Sequence, residues 1–169
     1  EGRLVTGQRG LAGEFGHNSI DYNGLPCECG NRGCLEKYCS TLALRSRIRE
    51  RLAAGEASKL QADALSTEAL AHAVAQGDPV ACEEYDRVCE FLSIGITNLI
   101  NQLNPGIIVI GDELAEIAPD RMLATVRERV KESVHTLSPG EVAIEVNRLP
   151  GSPVLLGAAA FAAQSVLAD

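Results

Sequence analysis

The stretch NLINQLNPGIIVIG, residues 98–111, decides the fold class. Its first half ends an apolar stripe at helical spacing, Val88, Leu92, Gly95, Ile96, Leu99 and Leu103. That stripe reaches back to Pro79, a residue suited to a first helical turn because its missing N–H would have no partner there. Asn104-Pro105-Gly106 then stops the helix. Ile107–Ile110 follows, an unbroken β-branched run between turn signals, which is the pattern of a buried, parallel strand. A long helix feeding such a strand is an α/β arrangement.

The same alternation continues downstream. A helix is expected over roughly 119–135, with Leu123, Val126, Val130 and Val134 on one face. EVAIEVNRL at 141–149 places Val142, Ile144 and Val146 at every second position, a strand pattern. An Ala-rich helix closes the chain over about 153–167. Upstream, residues 1–34 are Gly-rich and read as a short strand followed by loops and turns. Residues 35–53 turn helical on Leu35, Tyr38, Leu42, Ile48 and Leu52, and 54–65 reads as a loop. A second helix is expected to be capped by Ser66, with Glu68 near its positive end, and to stop near Gly77. The 169 residues therefore form one domain, with a loop region at 13–36, a helical region at 35–103 and a strand-helix-strand-helix unit at 107–167. Two clear strands are few for a sheet, so the chain reads as part of a larger one.

A formal net charge of −8 repels phosphate backbones, so this segment is not expected to grip nucleic acid itself. With only 4% aromatic residues and no Trp, the core must be aliphatic. No apolar run is long enough for a membrane span, and the start has no signal-peptide pattern. Cys27, Cys29, Cys34 and Cys39 are clustered, while Cys82 and Cys89 lie apart. Metal ligation in a reducing cytoplasm explains this better than disulfides do.

In GEFGHNSIDYNGLPCECGNRGCLE, residues 13–36, the metal-capable groups are His17, Cys27, Cys29 and Cys34. Three thiolates and an imidazole complete a zinc tetrahedron and leave no position for a reactive water, so the site would be structural. Gly30 and Gly33 permit the turn around the metal. Backbone N–H groups and Arg32 would offset the surplus negative charge. The alternative is a set of reduced thiols beside an unrelated imidazole. Cys82 and Cys89, seven apart on the long helix, read as core packing.

GEFGH at 13–17, CECGNRGCLE at 27–36, NLINQLNPGIIVIG at 98–111 and LLGAAAFAA at 155–163 together resemble the ROK family of repressors, open reading frames and sugar kinases. The resemblance implies the C-terminal lobe of an actin-like, ribonuclease H-like ATPase fold. It matches His17, Cys27, Cys29 and Cys34 to zinc ligands. It matches Glu14, His17 and Glu36 to groups that hydrogen-bond a hexose or N-acetylhexosamine. Carboxylates are strong acceptors for sugar hydroxyls, and one His17 nitrogen can hold zinc while the other faces the sugar. From the residues alone, Glu14 and Glu36 would equally be surface carboxylates.

The chain departs from the family's kinases twice. The phosphate-binding glycine loop and catalytic Asp of those kinases would precede Glu1, so this segment alone should not transfer phosphoryl groups. Where the kinases carry paired glycines after the strand, beside the adenosine, this chain has Gly111-Asp112, whose second side chain would crowd and repel a nucleotide. That departure resembles the family's repressors. The expectation is therefore the sugar-sensing and oligomerising part of a transcriptional regulator, with DNA contacted only through a separate N-terminal module. The alternatives are the C-terminal half of an ATP- and Mg-dependent sugar kinase, and a zinc-stabilised interaction domain that binds no sugar.

Overall fold

A computed structural model describes residues 4–134, 142–149 and 151–167, with the side chains of 164–167 left aside. A 3-10 turn at Phe15–His17 precedes α1 (Glu36–Cys39), α2 (Thr41–Ala53), α3 (Thr67–Ala75) and α4 (Pro79–Leu103). Then come β1 (Ile107–Ile110), α5 (Glu113–Ile117), α6 (Pro119–Ser133), β2 (Ala143–Val146) and α7 (Pro153–Leu167). The fold is α/β. β1 and β2 pair in parallel, from Ile107 opposite Ala143 to Ile110 opposite Val146. Parallel neighbours cannot be joined by a hairpin, and α5 with α6 supplies the crossover.

The helix ends follow local chemistry. Ser66 accepts the Ala69 N–H at 3.1 Å and starts α3, as its position in the sequence suggests. α4 has its expected bounds. Asp78 accepts the Ala81 N–H at 3.0 Å at its start, and Asn104 takes the left-handed conformation (φ 42°) at its end. Tyr85, fully buried on α4, donates to the Leu114 carbonyl at 3.0 Å and pins α4 to the α5–α6 junction. Leu123, Val126, Val130 and Val134 are buried, as their spacing predicts. They share one core with Leu44, Ile48, Val88, Ile100, Ile108 and Ile144. The expected ends of the second long helix at His135 and of the second strand at Glu141 fall outside the described residues.

Four expectations are corrected. The helical region 35–53 breaks at Ser40, whose extended backbone (φ −95°, ψ 161°) lets its hydroxyl accept the Ala43 N–H. A Ser offered a cap position takes it, so α1 becomes a separate four-residue turn. The buried face of α2 is then Thr41, Leu44 and Ile48, and Leu42 is exposed. Leu103 is exposed too. The run Ile107–Ile110 is buried on one face only: Ile108 is 9% exposed, whereas Ile107 and Val109 are each 57% exposed. A lone parallel pair has one face on the helices and one face bare among the described residues. Finally, residues 4–34 hold no strand. Their only ladder-like pairs are the bridges Ser19–Cys34 and Pro26–Arg32, and neither strand of the described sheet pairs with them. Val154, Leu155 and Phe161 of α7 are also exposed.

Asp78 illustrates how the helical region is locked. It is 3% exposed and accepts from Ser58 Oγ (2.9 Å), the Lys59 N–H (2.7 Å) and the Ala81 N–H (3.0 Å). Burial pushes its carboxyl up, but these donors together outweigh burial and hold it below its ordinary range. Its stabilisation is therefore present above the unfolded carboxyl pKa and is lost as pH falls through the lower folded value. Asp78→Ala is expected to cost about 2 kcal/mol at neutral pH, read from urea unfolding. The gap between variant and parent should shrink below about pH 4.

Candidate functional site

The loop before α1 is folded by two tight turns. Cys27 accepts at its carbonyl from the Gly30 N–H (3.0 Å) and donates its own N–H to the Asn31 carbonyl (2.9 Å). The Gly33 N–H donates to the Leu25 carbonyl and the Ile20 N–H to the Gly33 carbonyl, both at 2.8 Å. Gly33 sits at φ +68°, and a Cβ there would lie 1.8 Å from the Asp21 carbonyl oxygen, so only glycine fits. The short 3-10 turn Phe15–His17 is held over this loop, where the Leu35 N–H reaches the Asn18 carbonyl at 2.9 Å. Leu35 in turn packs at Gly95 of α4, where an added Cβ would come within 2.4 Å of its Cδ2.

These turns gather every site residue expected from the sequence. One donor atom from each of His17, Cys27, Cys29 and Cys34 lies within 4.8 Å of the others, close enough to share a metal ion. Cys29 Sγ and Cys34 Sγ are 3.6 Å apart, and Cys27 Sγ is 3.7 Å from His17 Nδ1. The two imidazole nitrogens face different neighbours: Nδ1 faces Cys27, and Nε2 is 3.8 Å from Glu14 Oε2. Glu36 Oε1 is 3.0 Å from Cys27 Sγ and 3.4 Å from His17 Nδ1. Glu14 is largely exposed, while Glu36 and His17 are partly covered.

The thiols differ in acidity. The Asn31 amide favours the Cys29 thiolate and lowers that pKa, whereas burial raises that of Cys34. At Cys27 the Cys29 amide favours the thiolate, but the neighbouring Glu36 carboxylate and burial outweigh it and push the thiol up to about 12. A metal must strip such protons on binding. The cation set beside the loop is Lys37, 2.8 Å from Glu28, and its charge is felt with those of Cys27 and Glu36. Arg32, expected to supply that compensation, contributes a backbone carbonyl that accepts from Ser19 Oγ.

Sequence reading missed Tyr38, which it treated only as part of an apolar stripe. Its hydroxyl accepts the Leu25 N–H at 2.9 Å, and its ring meets Phe91 of α4 at 4.9 Å between centroids. The nearest available signal was Gly24, whose Cβ would fall 2.1 Å from that hydroxyl. The remaining three cysteines are packing groups: Cys89 is fully buried, Cys39 and Cys82 pack against the core, and Cys82 donates to the Val74 carbonyl.

A separate cleft of about 620 Å³ lies at the C-terminal end of β1 and β2, edged by Asp112, Glu116, Asp120, Leu123, Asn147 and Arg148. Asp112 adopts φ 83° and ψ 163°, a conformation ordinarily left to glycine. The backbone thus keeps a glycine geometry while carrying a carboxylate.

The family model described as "ROK family" matches residues 1–165. A xylose repressor of Caldicellulosiruptor bescii is 30% identical over 99% of this chain and 43% of its own length. A ROK family transcriptional regulator, homologous to the E. coli MLC protein, superposes with a TM-score of 0.78 at 33% identity, over 88% of this chain and 37% of that one. A ROK family glucokinase from Streptomyces griseus, solved with glucose and AMPPNP, superposes with a TM-score of 0.83 at 26% identity, over 96% of this chain and 55% of that one. The chain spans about half or less of the length of these relatives.

Proposed function

This chain belongs to the ROK family, and from that premise we propose that it is the sugar-binding lobe of a transcriptional regulator, stiffened by a structural zinc ion. It corresponds to the C-terminal lobe of an actin-like architecture, and the rest of such a regulator carries the DNA-binding module. The observation that carries the reading is the convergence of Glu14 and Glu36 on the two nitrogens of His17, beside the Cys27–Cys29–Cys34 cluster.

The donor set fits zinc. Two sulfurs on a tetrahedral zinc lie about 3.8 Å apart, and Cys29 and Cys34 lie 3.6 Å apart. His17 Nδ1, Cys27, Cys29 and Cys34 would hold the ion, which would cross-link the loop and carry no chemistry. That leaves His17 Nε2 turned toward Glu14 and available to a sugar hydroxyl, with its tautomer fixed by the metal on the other nitrogen. Glu14 and Glu36 would each accept from vicinal hydroxyls, the charge-assisted bonds that give a carbohydrate its orientation. Sugar binding would then favour one of two arrangements of lobes or subunits in a homo-oligomer, altering the DNA affinity of the whole protein. No described helix is long and apolar enough to cross a membrane.

Asp112 favours a regulator over a kinase. In the cleft at the strand ends, its carboxylate joins those of Glu116 and Asp120 against the cation Arg148, an excess of negative charge that disfavours nucleotide phosphates. The alternative, the C-terminal half of an ATP-dependent sugar kinase, draws on the likeness to the glucokinase.

The test is calorimetry on the complete gene product with hexoses, pentoses and N-acetylhexosamines, beside an assay for ATP-dependent sugar phosphorylation. Sugar binding without phosphorylation is expected, and Glu36→Gln should weaken it about tenfold or more through loss of a charge-assisted bond. Unchanged affinity in Glu36→Gln and Glu14→Ala would remove the sugar assignment, and phosphorylation would replace the regulator with the kinase.

A further inference from the structure

Among the described residues, α1 is a four-residue turn that follows the cysteine loop and ends at the Ser40 break, too short to set its own direction, yet it carries Glu36 at its first position. Something else must aim that carboxylate. Tyr38, two residues on, is held at three points. Its hydroxyl accepts the Leu25 N–H at 2.9 Å, just ahead of the Cys27 turn. Its ring lies 4.9 Å from Phe91 of α4, inclined at 46°. Its carbonyl accepts from Arg47 Nη2 at 3.1 Å. Arg47 is itself fixed, because its Nε donates at 2.8 Å to Glu84, a carboxylate only 4% exposed that also receives Arg51.

A buried carboxylate is retained only when its charge is matched. Glu84 therefore ties α2, through Arg47 and Arg51, to α4, and Arg47 passes that rigidity to the end of α1. The hydroxyl of Tyr38 joins the same turn to the loop that gathers the cysteines. The loop and α1 can thus move only together, and both are referred to α4.

We infer that Tyr38 is the positioning residue that aims Glu36, joining the cysteine loop through its hydroxyl and locked onto α4 through Arg47 and the buried Glu84. This inference rests on the sugar-binding reading of Glu36. Tyr38 touches no ligand in this account; it acts through the carboxylate two residues before it.

The experiment is a double-mutant cycle of Tyr38→Phe and Glu36→Gln in the complete gene product, read by calorimetry with glucose, xylose and N-acetylglucosamine, with zinc content and melting temperature recorded alongside. Tyr38→Phe keeps the ring on Phe91 and removes only the hydroxyl. It is expected to raise the sugar Kd about tenfold in the parent. In the Glu36→Gln background it should add little, because there is no longer a carboxylate to aim. Arg47→Gln should behave in the same way, and Arg47→Lys, which keeps a donor, should recover part of the loss. A merely structural hydroxyl would lower the melting temperature and leave the affinity unchanged. Unchanged affinity in Tyr38→Phe while Glu36→Gln weakens binding overturns the positioning role alone. Equal losses in both backgrounds also overturn it, since Tyr38 would then act independently of Glu36. No effect of Glu36→Gln on sugar affinity overturns the sugar reading and this inference with it.

Discussion

Gly33→Ala is expected to abolish metal binding and to destabilise the protein by about 3–5 kcal/mol, the range of a backbone clash that cannot relax. The Cβ would sit 1.8 Å from the Asp21 carbonyl oxygen and 2.7 Å from its carbon. Both are main-chain atoms, so no rotamer change relieves the overlap. The turn would have to open. Opening it breaks the bonds from Gly33 to Leu25 and from Ile20 to Gly33, which bring Cys34 back against Cys27 and Cys29. Gly30 supplies the control. It also has a left-handed φ, +90°, but its Cβ would meet nothing within 4 Å. Gly30→Ala should therefore cost only about 1 kcal/mol, the conformational penalty by itself, and should still bind zinc. Metal analysis and thermal melting of the two variants check this directly. Equal behaviour would mean that the loop does not depend on the close approach at Gly33.

Removal of the metal is the second large effect. The purified protein is expected to carry about one zinc per chain, as a single four-donor site requires, and a strong chelator should release it. A zinc held with a Kd a thousandfold below its working concentration contributes about 4 kcal/mol. For a domain of this size that is about 10 °C in melting temperature. The loss should be local in origin. The aliphatic core of α2 to α6 contains none of the ligands, whereas the loop has few apolar contacts of its own beyond Leu35. Hydrogen exchange should therefore accelerate first at the Ile20, Gly33 and Leu35 amides, which are among the loop's backbone donors. The amides of α4 should stay protected. A fully folded protein that never contained metal, or exchange that rises uniformly along the chain, would overturn the zinc assignment.

Some of this molecule is readable in one dimension because the governing interactions are local. Ser66, Asp78 and Asn104 mark helix ends through bonds and dihedral angles a few residues away. The bounds of α4 follow from that chemistry, and the parallel sense of β1 follows from the helical crossover after it. The candidate metal donors are readable for a similar reason. His17, Cys27, Cys29 and Cys34 lie within eighteen residues, and the glycines between them announce the turns.

What depended on partners distant in sequence was not readable. The bare face at Ile107 and Val109 reflects which elements are at hand to cover a sheet, not the residues of the strand, whose pattern matched a fully buried one. The break at Ser40 is the exception, a local one: a hydroxyl bond to the Ala43 N–H makes it, but the apolar spacing continues through it and hid it. Arg32 and Lys37 are equal as charges in a sequence, and only the folded loop decided that Lys37 stands beside Glu28 and Cys27.

By itself, then, the sequence determined the α/β class, the course of α4 and the identity of the four candidate metal donors, since each rests on local geometry or on donor chemistry. The tertiary structure alone decided that Nδ1 of His17 faces the thiols while Nε2 faces Glu14, and that α1 is referred to α4 through Tyr38, Arg47 and Glu84. Those are matters of direction. Direction is set by contacts between residues as far apart as 38 and 91, whose meeting no local pattern records.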